Sequence, residues 1–319
     1  MRVIFVSLAS AGHTYPMVPL AVAARDAGHD VRFAAGEAVH AVLAEQGLRP
    51  FRPADCFYDV YAEDLAPELD RLRPDLVVHG WGVPGAGVAA ARAGVPALWH
   101  GFGRMFPEGI GLERPGGGVH LDICPPSLQD PDFLAHRDRI ALRPVPFSTP
   151  AAPVRHDRPL VYLTLGTAFG TPELLATAVH ALSALDVHVL VATGRVPVDQ
   201  LGEVPPGVTV RPWVAQADLW PHVDLVVHHG GSGTTLGALA AGVPQLLLPQ
   251  GADQFANADA VHAAGAGLRA EETRDAITAA ARELLRDGGY REAARVVADE
   301  VARMPSPEEV ARRLPEFTG

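Results

Sequence analysis

Lysine is absent from this 319-residue chain; all 26 of its basic residues are arginine. That removes the lysine a P-loop places on nucleotide phosphates and the lysine Schiff base of pyridoxal enzymes. Cysteine is scarce: Cys56 and Cys124 are too few for a disulfide framework or a structural zinc site. No apolar run is long enough to span a bilayer. The first apolar stretch meets Gly12 and His13 at once, without the charged, apolar and small-residue succession of a cleavable signal. Positive charge is the minority sign, with a net charge of −11 and no basic cluster, which speaks against nucleic acid as a partner. The expectation is a cytoplasmic protein without membrane insertion. Its oligomeric state, a homodimer included, is left open.

What is present is an ordinary globular composition, 48% hydrophobic and 20% charged, in a chain long enough for two domains. The most informative stretch is residues 224–257, DLVVHHGGSGTTLGALAAGVPQLLLPQGADQFAN. Residues 225–227 have the length of a buried strand, and residues 228–235 form a glycine-rich turn. Residues 236–241 read as a tightly packed helix that Gly242-Val243-Pro244 stops, and residues 245–248 read as the next strand. A strand that runs through glycines into a helix suits a phosphate. Glycine lets the backbone approach closely, and the helix start offers unpaired N–H groups and a positive dipole end. Ser232, Thr234, Thr235 and His229 add donors. The plainer reading is a turn that only packs strand on helix; Asp253-Gln254 downstream tips the balance towards a ligand.

Residues 2–8 read as a strand, 9–14 as a turn, 16–27 as a helix with Gly28 at its end, and 30–34 as a strand, a β-α-β unit. Further helices are expected at 37–46, 64–72 and 85–93, with strands at 76–79 and 95–99. From 101 to 159 the periodicity weakens and glycine and proline dominate, which reads as mobile surface near a site followed by a linker. A second half opens with a strand at 161–165, a glycine-bearing turn at 166–170 and a helix at 172–185. Strands at 187–192 and 208–211 and helices at 217–222, 251–264, 274–286, 290–304 and 305–314 follow. The fold class is therefore α/β, with parallel sheets covered on both faces, and ligands are expected at the C-terminal strand ends.

With these motifs in hand, the chain resembles the GT-B inverting natural-product glycosyltransferases of bacteria, relatives of the plant UDP-glycosyltransferases. The matching pieces are ASAGHTYPMVPLAVAARDAGHDV, YLTLGT, PPSLQ, and the ordered set Trp213-Val214-x-Gln216, HHGGSGTT and Asp253-Gln254. The resemblance implies two Rossmann-like parallel-sheet domains facing across a cleft. Residues 1–148 would bind the acceptor, residues 159–304 the nucleotide sugar, and 305–319 would supply a last helix that crosses back onto the first domain. It implies His13 as catalytic base. His229, Gly231, Ser232, Gly233, Thr234 and Thr167 would lie at the donor diphosphate. Trp213, Val214 and Gln216 would lie at the base side, and Asp253 and Gln254 at the sugar hydroxyls. No metal and no cofactor beyond the nucleotide-sugar donor are implied, and the partner is a small-molecule aglycone. Trp81, His100 and Phe102 are candidates for the acceptor wall, with core packing and a satisfied buried histidine as the alternatives.

Three departures from the family pattern stand out. Gly80-Trp81 occupies the place where plant relatives often carry an aspartate that orients the base; Asp122, Asp55, a backbone group or nothing would fill that role here. Gly237 stands where plant enzymes use a glutamate on both ribose hydroxyls, which favours a dTDP-sugar donor over a UDP-sugar. The chain is also short for the family, the deficit falling around Cys56-Phe57 and between Met105 and Leu112. The rival classes are an oxidoreductase, whose G-x-G-x-x-G is missing after Leu8, a sugar-nucleotide epimerase of the same fold, and a non-catalytic auxiliary protein.

Overall fold

The computed structural model describes residues 1–54, 56–106, 118–136, 138–148, 157–167 and 170–318. It divides into two units, Met1–Phe147 with Arg303–Gly319, and Ser148–Ala302. Each is a parallel sheet between helices.

In the first unit the strands are β1 (Arg2–Val6), β2 (Asp30–Ala34), β3 (Arg49–Phe51), β4 (Leu76–Gly80), β5 (Ala97–His100), β6 (Val119–Asp122) and β7 (Arg139–Ala141). Their order is β3-β2-β1-β4-β5-β6-β7, with every neighbouring pair parallel. All five residues of β4 are buried, as a strand covered on both faces demands. The helix Ala62–Leu72 buries Ala62, Leu65, Leu69 and Leu72, the three-and-four spacing of one helical face. Fully buried side chains such as Ile4, Leu65 and Val77 each contribute roughly 1.5–3 kcal/mol relative to exposure.

The sheet corrects the expectation for residues 101–159. Rather than mobile surface, 119–141 supply β6, the helix Pro131–His136 and β7, which complete the sheet edge. Strands of four and three residues are too short to carry a periodic signal, and β6 buries His120 and Asp122, which sequence patterning counts as polar. The three-residue β3 escaped notice for the same reason. Asp55, residues 107–112 of the shortened loop, and Pro150 and Pro153 lie outside the described residues. The turn after β1 is also more ordered than expected, containing the short helix Ala11–Thr14. The C-terminal helix Pro307–Arg313 packs on the helix Val18–Asp26 within this unit. It is anchored by the Arg143 N–H donating to the Pro305 carbonyl at 2.8 Å and started by a Ser306–Glu309 capping box.

In the second unit the strands are β8 (Leu160–Thr164), β9 (His188–Ala192), β10 (Val208–Arg211), β11 (Leu225–His228), β12 (Gln245–Leu247) and β13 (Gly267–Arg269), in the order β10-β9-β8-β11-β12-β13. Helices Pro172–Ser183 and Arg274–Arg286 cover one face through Leu175, Leu182, Ile277 and Ala281. Tyr162, Trp220, Ala238 and Val243 fill the other. The first six strands of the first unit and all six of the second run 3-2-1-4-5-6. The chain therefore changes direction between β1 and β4, and again between β8 and β11, and leaves a crevice at those carboxyl ends.

Candidate active site

In the first unit, β1 runs into a turn fixed from within. Ser7 Oγ lies 2.8 Å from Thr14 Oγ1, which donates to the Leu8 carbonyl at 2.9 Å. This holds His13 at the switch point beside the residues that leave β4 and β5. Leu8, His13, Met17, Trp81, His100 and Phe102 line one pocket there. The His13 ring stacks on Phe102 at 4.9 Å and lies nearly parallel to Trp81 at 6.4 Å. Gly82 makes that possible: a Cβ would meet Leu8 Cδ1 at 2.7 Å and His13 Cε1 at 3.3 Å. Gly82 and Met17 are site residues that sequence reasoning missed; the only signal was a glycine on either side of Trp81. Burial lowers the His13 pKa below the usual imidazole value, so the ring is neutral at neutral pH.

None of the described residues hydrogen-bonds the His13 ring. Asp122, one of the carboxylates considered for that role, is committed elsewhere. It accepts from Cys124 N–H at 3.0 Å, Gln129 Nε2 at 2.9 Å and Arg139 Nη1 at 3.3 Å. It thereby ties the PPSLQ segment to the sheet edge, and burial pushes its pKa up to about 6. Trp81, Phe102 and His100 all line the pocket beside His13. Among the described residues His100 is not the satisfied core histidine of the plainer reading: its Nδ1 lies 2.7 Å from the Gly101 carbonyl, but Nε2 is buried with no hydrogen-bond partner there.

In the second unit the glycine loop follows β11, and the helix Ser232–Ala240 begins four residues earlier than the sequence suggests. Its N-cap is Gly231, which brings no side chain to cap the first-turn N–H groups; those donors are left for a ligand. The His229 ring is wedged between two glycines. A Cβ on Gly166, in the turn after β8, would stand 2.6 Å from His229 Cε1, and one on Gly231 2.5 Å from Nε2. Burial pulls the His229 pKa down to about 4 against a hydrogen bond to the Thr164 backbone, and Nδ1, which carries no proton, is buried without a partner among the described residues. The uncapped helix start beside this ring, with its free first-turn N–H groups, is the feature that suits an anion.

His228 braces this loop. Its Nδ1 accepts from Gly230 N–H at 3.1 Å, so Nε2 carries the proton and donates to Gln245 Oε1 at 2.7 Å; Gln245 Nε2 in turn donates to the Thr235 carbonyl. Ser232 does not point its hydroxyl proton at a ligand: Oγ donates to Asp253 Oδ2 at 2.8 Å, and Asn257 Nδ2 donates to the same oxygen at 2.9 Å. Gln254 Oε1 accepts from the N–H groups of Gln250 and Gly251. The loop between them carries Ala252 at φ +53°, a left-handed backbone that costs energy in any residue but glycine. Gln216 Nε2 donates to Tyr162 Oη at 3.0 Å and lies 3.4 Å from Thr234 Oγ1. Val214 is buried with Leu219 and Trp220, Trp213 is about half exposed, and Thr167 is exposed on the first glycine turn. The unit thus gathers Thr167, Gln216, His229, Gly231, Ser232, Gly233, Thr234, Asp253 and Gln254 around the ends of β8, β11 and β12. Asn257, Gln245 and Tyr162, which sequence reasoning passed over, hold them there.

Known proteins resemble this chain. Residues 176–317 match the model of the erythromycin biosynthesis protein CIII-like C-terminal domain. The chain is 34% identical to the elloramycin glycosyltransferase ElmGT of Streptomyces olivaceus, over 98% of this chain and 97% of that protein. It is 32% identical to the L-demethylnoviosyl transferase of Streptomyces niveus, with the same coverage. The alignment to the elloramycin enzyme runs over 386 positions, against the 319 residues of this chain, so that relative carries segments this chain does not supply. Among solved structures, the spinosyn rhamnosyltransferase SpnG in complex with thymidine diphosphate superposes with a TM-score of 0.83 at 26% identity, over 99% of this chain and all of that one. The same enzyme is also known with spinosyn aglycone bound. The two parallel sheets of this chain, of seven and six strands, have the GT-B fold, and the chain belongs to the glycosyltransferase family of bacterial antibiotic biosynthesis.

Proposed function

We propose that this glycosyltransferase moves the sugar of a dTDP-sugar onto a hydroxyl of a small apolar aglycone, inverting the anomeric carbon, with His13 as general base. The observation that carries the reading is the setting of His13: a neutral imidazole at a switch point, in a pocket walled by Leu8, Met17, Trp81 and Phe102. The acceptor oxygen attacks the anomeric carbon from the face opposite the diphosphate. The C–O bond to the diphosphate breaks, and the acceptor's proton passes to His13. Such base catalysis is typically worth ~10²–10⁴ in rate. The leaving diphosphate gains negative charge, which the open N–H groups of the helix Ser232–Ala240, beside His229, would stabilise. Asp253 and Gln254 would take the sugar hydroxyls. Because Ser232 donates to Asp253, the sugar contact and the diphosphate loop are mechanically joined.

Two observations support dTDP. SpnG was solved with thymidine diphosphate. In this chain the position that would hold a ribose-binding glutamate is Gly237, where a Cβ would meet Trp220 Nε1 at 2.8 Å. The indole fills the space that a carboxylate needs, so no side chain there reaches a ribose 2′-hydroxyl. A ligand that prefers the folded state raises the melting temperature. In thermal melts at equal nucleotide concentration, dTDP is expected to stabilise the protein more than UDP does. A larger shift with UDP would contradict the donor assignment.

A further inference from the structure

The pocket beside His13 is lined by His100, whose ring holds a hydrogen-bonding atom that the described residues leave unused. His100 closes β5, and its carbonyl accepts from Trp81 N–H at 3.1 Å, which locks the ends of β4 and β5 side by side. The His100 ring is almost wholly buried, with Nδ1 2.7 Å from the Gly101 carbonyl oxygen. A carbonyl only accepts, so Nδ1 carries the proton, and in a neutral imidazole the other nitrogen then presents a lone pair. That nitrogen, Nε2, is buried and has no partner among the described residues. Native proteins rarely leave such a group unpaired unless a ligand completes it. Trp81, which lines the same pocket, carries another buried group, Nε1, without a hydrogen-bond partner among the described residues.

We propose that His100 Nε2 accepts a hydrogen bond from a second hydroxyl of the acceptor, so that His100 selects acceptors bearing two O–H groups, one presented to His13 and one to His100. The proposal rests on the reading of this pocket as the acceptor site. It narrows the acceptor class from apolar alcohols and phenols in general to dihydroxylated ones, since an acceptor lacking the second donor would bury Nε2 unsatisfied.

The probes are 2,7-dihydroxynaphthalene and 7-methoxy-2-naphthol, which share the ring system and the reacting hydroxyl and differ in that a methyl ether replaces the second O–H donor, with dTDP-glucose as sugar source. The wild type is expected to favour the diol in kcat/KM by about tenfold, the worth of one neutral hydrogen bond. His100→Phe removes that preference by raising KM for the diol alone, and His100→Gln, which returns an oxygen acceptor, recovers part of it. A preference that survives in a folded His100→Phe protein overturns the proposal, as does its absence from the wild type. An equal rise in KM for both probes overturns the hydrogen bond but leaves the pocket assignment standing. KM values unmoved by both His100→Phe and Trp81→Ala would remove the acceptor-pocket reading itself. A readout free of turnover and of substitution is the ¹⁵N spectrum of histidine-labelled wild-type protein. The unprotonated His100 Nε2 resonance should move on titration with the diol and stay in place with the methoxy compound; no movement with the diol overturns the proposal.

Discussion

At the scale of single residues, the chain stores an unusual amount of neutral histidine in its interior. His79, His100 and His229 are pulled by burial to about 4 and His228 to about 3, while His13 is also lowered. Each has a folded pKa below its unfolded value near 6.5. Each therefore contributes stability that is complete above that value and is lost as pH falls towards the folded pKa, because the unfolded chain binds the extra protons. Asp122, raised to about 6, and Asp253, raised as well, act with the opposite sign. Five histidines outweigh two aspartates, so the melting temperature is expected to fall as the pH goes from 7 to 5. Scanning calorimetry across that interval checks it, and a melting temperature that rises on acidification would contradict the assignment of neutral rings. Of these groups, the sequence marked His13 and His229 by the motifs around them. It could not show that His228 is a tautomer-fixed brace, since that depends on the partner Gln245 being one strand away in space.

At the scale of elements, the helix Ser232–Ala240 separates two uses of glycine. At Gly233 a Cβ would meet nothing within 4 Å, so the packing of the described residues does not require the glycine there; the proposed diphosphate at the helix start would. At Gly237 a Cβ meets the Trp220 indole, a packing constraint. Gly233→Ala is therefore expected to keep the melting temperature while weakening dTDP binding. Gly237→Ala should destabilise the fold by roughly 1–3 kcal/mol, as overpacking does. Paired calorimetric melts and dTDP titrations separate the two, and the reverse pattern would contradict this division. The long β-α-β elements were legible because their apolar runs and glycine stops are long enough to establish a period. β3, β6, β7 and β13 were not, being three or four residues each and held by neighbours already in the sheet. The first turn of the helix Ser232–Ala240 was hidden because Ser232, Gly233 and Thr234 read as loop residues. They are helical here because Gly231 enters in extended conformation and the helix packs on the core.

At the scale of the whole molecule, the two units divide the chemistry. Met1–Phe147, completed by Arg303–Gly319, carries His13 and its aromatic pocket; Ser148–Ala302 carries the glycine loop, His229 and Asp253. Each is built on the same strand order, so each offers one crevice, and the proposed base and the proposed diphosphate site belong to different cores. A change confined to the first should leave nucleotide binding in the second untouched. The measurement that tests the account most directly is made on His13→Ala: single-turnover sugar transfer from a dTDP-sugar, alongside a dTDP titration of the same protein. The account predicts that transfer falls by ~10²–10⁴, the share of a general base, while dTDP affinity stays within about twofold of wild type, as expected of a substitution that leaves the glycine loop of the other unit unchanged. Transfer at the wild-type rate, or a loss of dTDP affinity that matches the loss of transfer, would contradict it.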